Sequence, residues 1–275
     1  MDRDSIQNIL SIPTIKRASE QQQLVELASF KDSGLLTTRP PFVSGLYAWY
    51  EITSLVENRP KHEEPISLWQ DQGPHGFDLK TSTSETTEPH FSKSGFVGGP
   101  SLKYSLRSDE LKTEQNFGLQ GDPNYTVFLA AEFHVEDPQT PASQIAFLFG
   151  TDKGAGTIQF LEIDSNAVKH RLDIGSAFGQ DATTTTLPQN VPVIISVRKQ
   201  ANQPINTTLI TINGHPQEVS GSTAGLNILD GPLFLGYGGT KFTPAMNVAE
   251  LIVYDRSLNE DEEKTIGQYL AQNIN

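Results

Sequence analysis

From Gly45 onward, apolar and polar residues alternate with a period of two. The clearest runs are LYAWYEI (46–52), YTVFLAAEFHV (125–135), SQIAFLFG (143–150), TIQFLEID (157–164) and HRLDIG (170–175). VPVIISVRK (191–199), NTTLITING (206–214), PLFLGYG (232–238) and NVAELIVYD (247–255) continue the series. Runs this rich in β-branched and aromatic residues predict strands whose successive side chains face opposite sides of a sheet. Within 250–255, Leu251 and Val253 fall on one face and Ile252 and Tyr254 on the other. Turn formers separate the runs, among them Gly121-Asp122-Pro123-Asn124, Asp152-Lys153-Gly154 and Gly238-Gly239. Asn213-Gly214 suits a two-residue hairpin turn leading into a strand over 216–219. Many strands at short spacing with no helices between them predict an antiparallel sandwich or barrel.

The two ends break this period. Ile6, Ile9, Leu10 and Ile12 fall near helical spacing until Pro13 stops the run. Residues 15–30 hold good helix formers and no Gly or Pro, with Leu24, Leu27 and Ala28 as an apolar stripe. Gly34 and Arg39-Pro40-Pro41 then read as an extended linker. Residues 1–44 are therefore expected to form a helical arm. It either packs on its own domain or docks on a partner subunit through Ile6, Ile9, Leu10 and Ile12. At the other end, Asn259 is an N-cap and Glu262 completes a capping box. Ile266, Tyr269, Leu270 and Ile274 line one face of the helix that follows. Residues 45–275 are expected to be one sandwich carrying this helix on its outside.

Composition narrows the chemistry. The 275 residues include no cysteine, which removes disulfides, thiolate metal sites and cysteine nucleophiles together. A net charge of −13 argues against binding nucleic acid through its phosphates. No stretch approaches the ~18–20 apolar residues of a membrane span. The opening MDRDSIQNIL has acids where a signal peptide needs a basic start, so synthesis in the cytoplasm is expected. The six histidines are scattered without metal-ligand spacing.

Three blocks carry a resemblance. LYAWYEITSLV (46–56) leads into ISLWQDQGPHGFDL (66–79); NTTLITINGHPQEV (206–219) leads into GPLFLGYGG (231–239); VAELIVYDRSLNEDEEKTIGQYL (248–270) closes the chain. The series resembles the laminin-G-like, concanavalin A-like jelly-roll domains over about residues 45–275. Pro74-His75 departs from the Gly-Asn usual at that turn of the family. The resemblance implies an all-β jelly-roll β-sandwich, with the N-terminal helical arm and C-terminal helix added to it. On the residues alone, Trp69 can fill the core between sheets, and Asp71 can accept N–H bonds from the turn around Gly73 and Gly76.

The same resemblance implies calcium at the rim, held by loop acids, for which Asp71, Asp122 and Asp152 are the candidates. Each is equally well explained as a turn former. Sugar rings stack on exposed aromatic faces, and Trp49, Tyr50, Tyr104, Tyr237 and Phe242 are the aromatics suited to this role where exposed. Tyr237 and Phe242, flanking the GGTK turn, are the ligand-binding candidates. Jelly-roll glycosidases carry Glu-x-Asp-x-x-Glu; Glu162-Ile163-Asp164 begins that pattern, but Ser165-Asn166-Ala167 ends it without the second glutamate. The expected function is non-enzymatic: a recognition or structural module of an extracellular assembly. A virion tail or decoration protein holding host glycans fits, with other subunits as partners through the arm. The rivals are a free-standing carbohydrate-binding protein and a divergent glycoside hydrolase.

Overall fold

The computed structural model describes residues 43–57, 60–81, 86–96, 99–105, 108–134, 143–150, 158–166, 169–176, 180–183, 187–236 and 243–273, with the backbone alone for much of 143–183. The arm candidates Ile6, Ile9, Leu10 and Ile12 lie outside these residues. The strands in chain order are β1 (Leu46–Glu51), β2 (Glu64–Pro65), β3 (Leu68–Trp69), β4 (Leu79–Lys80), β5 (His90–Phe96), β6 (Gly99–Tyr104), β7 (Leu111–Thr113), β8 (Tyr125–Phe133) and β9 (Ser143–Gly150). There follow β10 (Ile158–Asn166), β11 (Lys169–Ser176), β12 (Gln180–Thr183), β13 (Pro192–Lys199), β14 (Leu209–Ile212), β15 (His215–Pro216), β16 (Ser220–Gly221), β17 (Leu233–Leu235) and β18 (Met246–Tyr254). Two helices are added: α1 (Ile52–Glu57) and α2 (Glu260–Asn273). None of the described helices is long and apolar enough to cross a membrane.

The strands form two antiparallel sheets. Sheet I runs β15-β14-β13-β8-β18-β6-β5-β2, with β1 beside the second half of β18; sheet II runs β16-β12-β11-β10-β9-β17-β7-β4-β3. Alternation along the strands divides sheet I into two faces. Leu251, Val253, Val197 and Ile195 face sheet II and join Trp69, Tyr50, Phe133 and Leu235 in the core between the sheets. Ile252, Tyr254, Phe128 and Ile194 face outward and join Ile266, Tyr269 and Leu270 of α2. The helix therefore covers the back of sheet I, as its apolar stripe requires. Its start is the expected capping box, with Glu262 N–H donating to Asn259 Oδ1 at 3.0 Å and Asn259 N–H to Glu262 Oε2 at 2.9 Å.

The alternation also explains where sequence and structure part. Asn213 and Gly214 adopt φ of 52° and 78°, as a tight hairpin requires, but the returning strand is only His215–Pro216 rather than 216–219. Strands β2 to β7 are mostly too short to show a period, and α1 follows β1 directly where the alternation runs out.

Candidate recognition site at the sandwich rim

The site starts from a bulge. In the ladder of β1 with β18, Leu46 pairs with Tyr254 and Ala48 with Val253, which leaves Tyr47 as the extra residue. A bulge re-aims its side chain, and here the Tyr47 ring reaches the rim instead of continuing the alternation. There it meets His75 at 4.9 Å between ring centroids, Phe77 at 5.2 Å and Phe117 edge-on at 5.1 Å. Phe77 and Phe117 are buried, Tyr47 is half-buried, and His75 is exposed. The ring cluster thus presents a reachable aromatic edge on a buried apolar base.

Backbone contacts fix this cluster. The Tyr47 hydroxyl donates to the Phe117 carbonyl at 2.6 Å. Gly118 follows with φ 83°, and a Cβ there would sit 2.6 Å from the Tyr47 hydroxyl, so only glycine allows the approach. Burial raises the Tyr47 pKa, with the charges of Asp255 and Asp230 adding to the effect. Asp230 stands beside the rings. Its Oδ1 accepts from Gly118 N–H at 3.0 Å and its Oδ2 from Asn116 Nδ2 at 3.2 Å. Asn116 is exposed and Asp230 half-buried. The arrangement therefore joins an aromatic surface to an amide and a carboxylate, held by β1, the 70–78 loop, the 114–121 loop and the 229–232 loop.

Asp71 shapes the neighbouring loop. Its Oδ1 accepts from Trp49 N–H at 2.8 Å and Gly73 N–H at 2.7 Å, and its Oδ2 from Phe77 N–H at 2.9 Å. Those three bonds fold the turn that carries His75 and Phe77 against Tyr47. Trp69 is fully buried in the core, as expected, with Nε1 donating to the Glu51 carbonyl at 3.1 Å.

Asp122 is engaged elsewhere on the rim. Its Oδ1 lies 2.9 Å from the buried Lys199 Nζ, and its Oδ2 accepts from Asn202 N–H at 2.9 Å. The same ammonium donates to the carbonyls of Gln200 and Gln203, which uses all three of its N–H bonds. A complete donor set is what lets a charged amine be buried. Asp71 and Asp122 are not brought together, and Asp152 lies outside the described residues. Among the described residues, no group of three or more His, Asp or Glu side chains gathers to hold a metal.

The other sequence candidates are placed as follows. Tyr237 and Phe242 lie outside the described residues. Trp49, Tyr50 and Tyr104 are buried in the two apolar clusters and offer no face to a ligand. Glu162 and Asp164 fall on β10 in the middle of sheet II, opposite Asp173 and Arg171 in the ladder with β11. Sequence reasoning missed Tyr47, Asn116 and Asp230. Tyr47 was read as one more alternating residue, and the loop residues carry no period. The replacement of Gly-Asn by Pro74-His75 was the one visible signal.

No family model matches this sequence, and no curated protein matches it closely enough to count as a relative. Solved structures do resemble it. A Trypanosoma rangeli sialidase in complex with 2,3-difluorosialic acid is 13% identical with a TM-score of 0.54, over 90% of this chain and 38% of that one. Domain 4 of AbnA, a GH43 extracellular arabinanase from Geobacillus stearothermophilus, in complex with arabinotriose, is 14% identical with a TM-score of 0.52, over 81% of this chain and 98% of that one. The binding domain of botulinum neurotoxin serotype D is 9% identical with a TM-score of 0.55, over 88% of this chain and 52% of that one. This chain thus spans well under half the length of the sialidase and about half that of the toxin domain. At these identities the likeness establishes the fold: an all-β, two-sheet sandwich with a C-terminal helix.

Proposed function

We propose that this protein is a laminin-G-like, non-enzymatic glycan-recognition module. The observation that carries the reading is the Tyr47–His75 ring edge beside Asn116 and Asp230. Sugars are bound by an apolar surface under their C–H face and a few fixed polar groups at their hydroxyls. Both are present within one rigid cluster, so little side-chain entropy is lost on binding. The arabinotriose in the arabinanase domain supports this reading, since a sandwich of this kind holds a sugar there. The apolar spacing of Ile6, Ile9, Leu10 and Ile12 favours a module that works within a larger extracellular assembly, such as a virion surface.

A glycan array with the full chain tests the function, run with and without millimolar calcium. Saturable binding lost in His75→Ala supports it, and dependence on calcium would bring a cation into the site. No binding under either condition would overturn it. Hydrolysis of a β-glucan that disappears in Glu162→Gln would favour a divergent hydrolase instead.

A further inference from the structure

A groove of about 400 Å³ runs between α2 and strands β13 and β14 on the back of sheet I. Its floor is apolar, with Phe128, Ile194 and Pro216, and Leu209 at its edge is 46% exposed. On its α2 side, Glu263 pairs with Arg198 at 3.1 Å and accepts from the Ser196 hydroxyl, which closes that wall. The opposite end differs. Asn213 lines the groove and is 2% exposed. Its Oδ1 accepts from Ile194 N–H at 2.8 Å, but its Nδ2 has no partner among the described residues. A buried donor left unmade costs about 1–3 kcal/mol, so this end of the groove is the less well matched one.

We propose that this groove is the docking site for residues 15–30 of the same chain. Three observations select that occupant. The described chain begins at this layer: Val43 and Leu46 pack against the cluster beneath α2, and Arg256 Nε holds the Ser44 carbonyl at 2.7 Å. Residues 31–43 can span up to about 43 Å when extended, against a helix about 10–12 Å across, so the segment reaches round the start of α2 to the groove. Its pattern also fits. Leu24, Leu27 and Ala28 give one apolar stripe for the floor.

The absence of native cysteine makes a direct test clean. The full chain carrying Leu27→Cys and Leu209→Cys is oxidised and run without reductant. The proposal expects an intrachain disulfide, formed in far higher yield than in a control pairing Leu27→Cys with Lys103→Cys on β6, away from the groove. Cross-linking no better than the control, or only between two chains, would overturn it; the second result would make the occupant another copy. Hydrogen exchange on the chain without cysteines gives an independent readout. Amides of 24–30 should be protected in the wild type and lose about tenfold of that protection in Leu209→Asp, whose exposed site leaves the sandwich folded. Unprotected amides in the wild type would also overturn the proposal.

Discussion

At the rim, Asp71 and Asp230 are held by backbone and amide donors while the His75 ring beside them stays open to water. Beneath α2 the polar groups are sealed and incompletely matched. Glu250 is buried, with Trp49 Nε1 donating to it at 2.7 Å and the Tyr269 hydroxyl adding a second bond, and the like charge of Glu51 lies nearby. Burial pushes its pKa up to about 8, against the pull of those two donors. The β18 bulge is the cause. It turns both Ala249 and Glu250 to the back of the sheet, where a strict alternation would have sent one of them to the core. The contrast separates two uses of polar residues. Exposed groups fixed by backbone make a preformed binding surface, whereas buried groups short of partners make a layer whose stability depends on pH and on what covers it.

The largest expected effect is at Lys199. Lys199→Ala strands Asp122 and two carbonyls at the buried end of the rim, at about 3–5 kcal/mol in urea unfolding. A loss under about 1 kcal/mol would mean the rim does not depend on that ammonium. Next comes the layer under α2. Between pH 4.5 and about 8 the native state keeps the Glu250 proton that the unfolded chain has lost, so stability falls as pH rises through that window and levels off above it. The drop is on the order of a few kcal/mol, and Glu250→Gln should flatten it. A pH profile that keeps its slope in the variant would assign the dependence to other groups.

A smaller effect sits at the acid end. Arg256 forms a two-bond pair with Glu262 at 2.8 and 2.6 Å, and with the Asn259 N–H it lowers the Glu262 pKa to about 2. That contribution is present above pH 4.5 and is lost as pH falls toward 2, and Arg256→Ala should remove it from the acid limb of the unfolding curve. Because the pair is on the surface, the change is slight and shrinks in salt. Smallest of all is the stability change in His75→Ala, within about 0.5 kcal/mol, because the exposed ring rests on a cluster that stands without it.

These differences also show what the sequence could disclose. Strands β8, β13 and β18 were legible because β-branched alternation records which side is buried, and the capping box recorded where α2 starts. Asp71 and Trp69 were legible because a carboxylate before glycines and a lone tryptophan each have few places to go. The bulges at Tyr47 and Ala249 were not, since an inserted residue changes direction without changing composition. Glu250 read as an ordinary strand residue for the same reason, and its burial depends on a helix ten residues further on. The rim site is assembled from one strand and three loops distant in sequence, so only its Pro74-His75 member left a trace.

Calorimetric titration of the strongest array glycan tests the central claim most directly. It is carried out on the wild type, His75→Ala and Leu209→Asp. The account predicts that His75→Ala weakens binding about tenfold or more, as expected when a stacked ring is lost, while Leu209→Asp on the back of sheet I binds as the wild type does. Equal binding by all three, or loss in Leu209→Asp with His75→Ala unchanged, would contradict a recognition site at the rim.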